Sequence, residues 1–491
     1  MMHTPPLAEH DRRAVVIGAL VVLLLAALDQ TIVSPALPTI GATLGDADWL
    51  AWVVSAYFLT STAVTPLYGK LADLRGRKPT LYGAVAIFAL GSILCALAPS
   101  MPILILGRAV QGLGGGGLVG LVQTIIGDVV PPRDRAKYMV HISTVWAVAS
   151  IAGPLAGGVF AEHLHWSMIF WINLPLAGVA SLTIHRALRR VPDVTRPARL
   201  DLVGSALVVA ATVAFMLALT WGGNRWAWGS PQILALFAAA VVLGAIFARH
   251  VVTVEEAVMP VHVLRDPVIA VVVSALFFSM GAYVGLSVYM PLWFETVAGL
   301  APASAGFGLL ALTLGTVTGA NLAGRAMVWI VRYRRAVLGG SALAIAATVA
   351  LSFFADRVGF WGVEALLALV GLGTGTIFPI GTVAVQNAVE RHDLGVAMGA
   401  LAFMRSLGSV VSVTVLGAVL AAAGIAGVGE GATHVGGTDP VAAGAFRWLF
   451  AAVVVGQTIG FAILCFLQER PLRGTAPASA PARADAETRK P

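Results

Sequence analysis

Residues 14–36 read AVVIGALVVLLLAALDQTIVSPA, an apolar run broken first by Asp29. About 20 helical residues cross the roughly 30 Å of bilayer hydrocarbon, so this stretch is long enough to span. It is too long for the apolar core of a secretory signal and lacks a small-residue cleavage site after it, so the N-terminus is expected to stay on. The rest of the chain repeats the pattern. Of 491 residues, 58% are hydrophobic and 11% charged, with a mean hydropathy of +0.88, whereas soluble domains carry about a quarter charged residues. Such a composition requires lipid around it.

Cutting the apolar runs at polar, Pro- or Gly-rich breaks gives fourteen candidate spans. They lie near 14–36, 50–69, 80–98, 103–127, 138–160, 166–186, 201–221 and 231–249, then 268–294, 303–324, 336–354, 361–386, 396–422 and 447–467. An even number puts both termini on one side. With the N-terminus inside, 26 of the 31 Lys and Arg fall in the termini and the loops that become cytoplasmic; the others are Arg108, Arg225, Arg357, Arg405 and Arg447. That asymmetry obeys the positive-inside rule. The net charge of +7 is therefore spread over short inner loops, which excludes the clustered basic face that a nucleic-acid partner needs. Cys95 and Cys465 lie in apolar runs near opposite faces, which excludes a disulfide framework and leaves them as core-filling thiols. The Gly-rich outer segment 424–445, with Glu430, His434 and Asp439, reads as a linker or a cap over an exit path, and the Pro/Ala-rich stretch after Glu469 as a disordered tail.

An ionisable side chain inside a span costs a few kcal/mol and needs a partner, a wet cavity or a function. Asp29 and Arg108 stand at matching depth, roughly 10 Å and 8 Å below the outer ends of spans 1 and 4 at about 1.5 Å per residue. They are expected to pair. Protonating Asp29 would weaken that pair and free Arg108, coupling a proton to a conformational change; the alternative is a static ion pair that helps the two spans assemble. Arg405, in span 13, has no acidic partner at its depth and either lines a cavity or bonds backbone carbonyls. Glu295 closes span 9 and Glu364 lies near the outer end of span 12. Trp52, Tyr57, Trp146, Tyr283, Tyr289, Trp293 and Phe378 are candidates for holding a flat or cationic molecule by stacking and cation-π attraction, or for core and interface anchoring. The cavity set drawn from these readings is Tyr57, Trp146, Tyr289, Glu295 and Arg405, which Thr31 and Gln111 join through the family resemblance that follows.

Four stretches resemble the major facilitator superfamily, and specifically its fourteen-span drug:proton antiporter branch of the EmrB/QacA type. GKLADLRGRKPTL at 69–81 is similar to the signature G-x-L-a-D-r-x-G-r-k-x-x-l, placing Gly69, Asp73, Gly76, Arg77 and Lys78 on a gating loop, with Leu74 where an Arg is common. Physically, Asp73 could hold Arg77 and a facing helix N-terminus in a lock. LDQTIVSPALP at 28–38 is similar to l-D-x-T-v-v-n-v-A-L-P, and LILGRAVQGLGGGG at 104–117 to l-x-x-x-R-x-x-q-G-x-g. The resemblance assigns Asp29 and Thr31 to the first motif and Arg108, Gln111 and Gly112 to the second, and implies a proton-transfer role for Arg108. ASIAGPLAGGVF at 149–160 is similar to the antiporter signature g-x-x-x-G-P-x-x-G-G, covering Gly153, Pro154, Gly157 and Gly158, with Ala149 in place of the leading Gly. Small residues there allow close helix approach and Pro154 permits a kink. The second half echoes the gating loop only weakly, in AGRAMVWIVRYRRA at 323–336.

The resemblance implies an all-α polytopic membrane protein of the major facilitator fold, two six-helix bundles plus two inserted helices. Residues 1–13 would be a cytoplasmic N-terminus, 14–186 the first bundle, 187–266 the inserted pair with its flanking loops, 267–468 the second bundle and 469–491 the tail. The expected activity is proton-driven export of amphipathic or cationic drugs or antibiotics across a bacterial inner membrane, by a monomer with protons and a drug-like molecule as its partners and no metal or other cofactor. A narrow-range carrier of an amino acid, siderophore or lipid is the alternative on the same scaffold. A receptor or enzyme is disfavoured, because the sequence contains no P-loop and no His/Cys metal cluster.

Overall fold

Backbone N–H and C=O groups in hydrocarbon must pair within their own segment, so apolar runs of this length fold as helices. The computed structural model describes residues 9–45, 49–188, 200–223, 225–254, 257–300, 308–329, 333–423 and 440–470. The long helices are α1 (Glu9–Ile32), α2 (Leu50–Arg75), α3 (Arg77–Ala96), α4 (Met101–Val129), α5 (Pro132–His163), α6 (Asn173–Leu188), α7 (Leu202–Trp221) and α8 (Pro231–Thr253). They continue with α9 (Pro267–Thr296), α10 (Leu310–Trp329), α11 (Tyr333–Phe354), α12 (Gly359–Ala388), α13 (Leu394–Ala422) and α14 (Pro440–Leu464). Twelve segments among the described residues are long and apolar enough to cross a membrane; α2 and α10 are the long helices outside that set.

The first span begins earlier than its apolar run, at Glu9, because Glu9 and Asp11 favour the first turn of a helix and Arg13 pairs with Glu9 one turn on. It stops at Ile32, and Pro35 sits in a 3₁₀ turn (Ser34–Ala36) before a short helix, Leu37–Leu44. The proline thus lies where the span breaks. The segment 424–439, the tail beyond 470 and residues 330–332 of the weak second-half echo lie outside the described residues.

α1 to α6 pack on one another, with α4 against α2 and α3, and α1 against α5 and α6. α9 to α14 form a second set, with α9 against α13 and α14, and α12 against α10 and α11. α7 and α8 pair with each other, and α7 lies against α2 of the first set and α13 of the second. Asp201 anchors that pair by capping α7 through the Gly204 amide while also bonding His250 of α8 at 2.8 Å. The two bundles meet through α2 with α13 and α5 with α10.

Their contact is one-sided. At the end bearing the Arg75–Arg77 turn, here called the basic end, one continuous apolar core draws on both bundles, from Val15 and Leu121 to Val385 and Leu401. Towards the far end the core divides in two: Ile32, Val53, Leu104 and Phe170 belong to the first bundle, and Leu286, Trp293, Leu367 and Phe450 to the second. The bundles are joined at the basic end and separately packed at the far end.

Candidate functional site: a buried polar network and an interbundle lock

The glycine-rich stretch of α4 brings three backbones together. A Cβ on Gly91 of α3 would fall within 3.0 Å of the Gln111 backbone, and one on Gly112 within 3.0 Å of the Tyr57 carbonyl of α2, separations real Cβ atoms do not take up. Missing side chains therefore set how closely α2 and α3 flank Arg108 and Gln111.

Asp29 is 0% and Arg108 1% exposed. One carboxylate oxygen of Asp29 accepts from Arg108 Nη1 at 2.9 Å; the other accepts from Gln111 Nε2 at 2.7 Å and Asn173 Nδ2 at 2.9 Å. Arg108 also donates to Gln111 Oε1 at 2.6 Å and, from Nε, to the Val53 carbonyl at 2.9 Å. Ser92 Oγ accepts from Gln111 Nε2 at 2.9 Å. Above the guanidinium lie the rings of Tyr57, 4.5 Å from its centroid, and Phe170, at 5.9 Å. One atom is left over: Asn173 Oδ1 is buried without a hydrogen-bond partner.

The donor and acceptor count gives this network its chemistry. Every group facing Asp29 is a donor, and a guanidinium cannot accept. A proton arriving on either oxygen would meet only donors and would cancel the charge that holds Arg108, so protonation weakens the ion pair. Once released, Arg108 keeps Gln111 Oε1 and the Val53 carbonyl as acceptors, so it has somewhere to stay.

Beside this network, Thr31 donates to the Ala149 carbonyl of α5 at 2.8 Å. A Cβ on Gly153 would overlap the Thr31 side chain, and one on Gly157 the Ile32 carbonyl, so both glycines serve the approach of α5 to α1. Gly158 meets nothing within 4 Å, and Pro154 is exposed inside α5. The close-approach reading thus fits Gly153 and Gly157 and is corrected for Gly158.

At the basic end Asp73 joins the bundles. Its carboxylate pairs with Arg77 at 2.8 Å and accepts from the amides of Gly395 at 3.1 Å and Val396 at 2.9 Å, the first turn of α13. Free N–H groups and the positive end of a helix favour an anion there. Arg77 also bonds Asp128 at 2.8 Å and the Ala72 carbonyl at 2.8 Å. Gly76 takes φ = 96°, a conformation open to glycine, and turns the chain from α2 into α3. Lys78 is half-buried beside it. Two further links cross the same interface: Gln386 Nε2 donates to the Gln123 carbonyl at 2.9 Å, and Arg135 to the Gln386 carbonyl at 3.2 Å. Burial pushes the Asp73 carboxyl up to about 7, against the pull of Arg77 and the two amides, with Asp128 adding to the rise.

The cavity set separates. Tyr57 and Gln111 are buried in the Asp29 network, and Tyr289 is buried with its hydroxyl bonded to the Val413 carbonyl. Thr31, Trp146, Glu295 and Arg405 are half-buried. Tyr283 and Phe378 meet edge-on with centroids 6.5 Å apart. Sequence reasoning missed Ser92, Asn173, Asp128 and Gln386. Asn173 had a visible signal, an amide within the apolar run WINLPLAG; Ser92 had none, since serine is common in spans.

The sequence profile of the Major Facilitator Superfamily matches residues 19–413. The chain belongs to the major facilitator superfamily. The superfamily comprises transporters rather than enzymes, and its all-helical fold is the one described above. This member is similar to an uncharacterised MFS-type transporter of Mycobacterium tuberculosis, 34% identical over 417 residues, which cover 84% of this chain and 60% of that protein. The chain thus spans about three-fifths of the mycobacterial relative's length. It is also similar to the multidrug transporter protein MdtP of Bacillus subtilis, 30% identical over 413 residues, 84% of this chain and 76% of that one. Among solved structures, a bacterial homologue of the iron transporter ferroportin in an outward-facing state shares the fold with a TM-score of 0.66 at 10% identity, covering 94% of this chain and all of that one.

Proposed function

We propose that this superfamily member is a proton-coupled antiporter that exports amphipathic drug-like molecules by alternating access. The observation that carries the reading is the buried network in which Asp29, faced only by donors, holds Arg108 by a charge that a proton would cancel. Relatives named for multidrug transport support the cargo class. Fourteen long helices, with α7 and α8 between two sets of six, support a reading as a fourteen-span member of the drug:proton antiporter branch. The bias of Lys and Arg supports a topology in which the basic end and both termini face the cytoplasm, read here as that of a bacterial cell whose inner membrane the chain crosses. The joined basic end and separate far-end cores then correspond to an outward-open conformation, with the Asp73 lock closed. The proton gradient supplies the drive without a cofactor. A proton entering from outside neutralises Asp29 and frees Arg108; the lock opens to the inside; cargo binds from the cytoplasm as the proton is released there, which restores the Asp29–Arg108 pair and lets the loaded carrier turn outward again.

The test is efflux of ethidium and of norfloxacin from energised cells or into everted vesicles, with and without a protonophore, at matched expression. Export of either against its gradient, abolished by the protonophore, is the expected result. Export that survives the protonophore, or none of either molecule, contradicts the proposal.

A further inference from the structure

Among the described residues the buried arginines are all provided for: Arg77 and Arg108 by carboxylates and carbonyls, and Arg135 by the carbonyls of Gly127, Val130 and Gln386. Arg405 differs. It is half-buried within α13, and its guanidinium makes no hydrogen bond or ion pair among the described residues. Nor is any of its nitrogens sealed from solvent, since none is among the buried polar atoms left without a partner. The head group therefore borders accessible space.

Helix geometry says which space. Met398, Ala402 and Arg405 are spaced i, i+4, i+7 and share one stripe of α13. Met398 and Ala402 lie over Gly120 of α4, in the opposite bundle. Towards the basic end the same helix meets Gly69 and Thr65 through Gly399, and Asp73 through Gly395. Beyond Arg405, α13 turns to its own bundle: Gly408 meets Phe277, and Leu416 meets Gly285. Along α13, Arg405 thus stands between the interbundle contacts at Gly395, Gly399 and Ala402 and the contacts of Gly408 and Leu416 with its own bundle, on the side where the two cores separate. Across from it α4 offers Gly116 and Gly117, themselves covered by Ser61 and Tyr68. Carboxylates are distant along the helix axes. Asp73 meets α13 about ten residues, or roughly 15 Å, towards the basic end, and Glu295 stands roughly 20 Å or more the other way. Asp29 has its acceptors filled and is fully buried.

A cation with five donors, partly withdrawn from water and unmatched, is costly unless an anion visits it. We propose that Arg405 is a cargo-binding residue that recognises a carboxylate or similar planar anionic group, so that the protein takes amphipathic acids or zwitterions in preference to cations. The guanidinium fork matches a carboxylate with two parallel hydrogen bonds. This narrows the cargo class and rests on the transporter reading.

The test uses binding to the purified full-length chain, which needs no proton gradient and so can fail while gradient-driven export stands, or hold while export fails. Norfloxacin, an aromatic amphipathic acid, and its methyl ester are titrated against wild type, Arg405→Gln and Arg405→Lys, each checked for folding by its thermal transition in detergent. Wild type should bind the acid about tenfold more tightly than the ester, as expected for loss of a charge-assisted contact. Arg405→Gln should bind both alike, and Arg405→Lys should keep part of the preference. Equal binding or none by wild type, tighter binding of the ester, or a preference that survives Arg405→Gln overturns the assignment.

Discussion

Gly69 and Gly395 stand backbone to backbone across the two bundles: a Cβ on either would come within 3.0 Å of the other's carbonyl oxygen. That approach is what lets Asp73, one turn on, reach the first amides of α13. Gly69→Val should therefore force the basic end apart. Spin labels at the exposed positions Arg75 and His392 should report a distance distribution shifted outward by several ångströms, and stability should fall by about 1–3 kcal/mol as for other overpacked contacts. An unchanged distribution would contradict the lock.

The lock also has a pH sign. In the closed interface the Asp73 carboxyl is raised to about 7, while in water it returns to about 4. Closing therefore takes up protons between those limits. The contribution to closure is complete below about pH 4 and is lost as pH rises through about 7. Raising pH from 6 to 8 should populate longer Arg75–His392 distances in wild type. His392 and His262 flank Asp393 nearby, at 3.3 Å and 2.8 Å, so the Asp73 share is read as the part that disappears in Asp73→Asn.

Within the Asp29 network the two single variants should differ in stability. Arg108→Ala leaves a buried carboxylate facing only two neutral amide donors and should cost about 3–5 kcal/mol. Asp29→Asn leaves Arg108 with Gln111 Oε1 and the Val53 carbonyl, so its cost should be smaller. Thermal unfolding in one detergent compares them, and a larger loss for Asp29→Asn would contradict the hydrogen-bond assignment.

The antiporter motif should divide in the same concrete way. Gly153→Val drives a side chain into Thr31 and should lower both expression and melting temperature. Gly158→Ala enters open space and should leave both within error of wild type.

The long helices could be read from the sequence because hydrocarbon imposes length and apolarity on each span, and the boundary differences come from local chemistry such as Glu9 and Pro35. Matched depth was enough to bring Asp29 and Arg108 together, since an unpaired charge in a span is expensive. Depth alone could not say that Gln111 and Asn173 complete the carboxylate's shell, because amides pair by orientation around the helix axis. Nor could it distinguish Tyr57, stacked on a guanidinium, from an aromatic facing a cargo. The partner of Asp73 was foreseeable as a helix N-terminus, but its identity as the first turn of α13 depends on two bundles meeting across some 320 residues of chain.

Asp29 as the coupling residue is the centre of this account. The most direct test reconstitutes wild type and Asp29→Asn in proteoliposomes and follows whichever of ethidium and norfloxacin the wild type exports, in two modes: accumulation against its gradient driven by a pH difference, and counterflow exchange without one. Asp29→Asn should retain counterflow and lose uphill accumulation, since it can still alternate but has no proton to exchange. Uphill accumulation by Asp29→Asn at the wild-type rate would contradict the account.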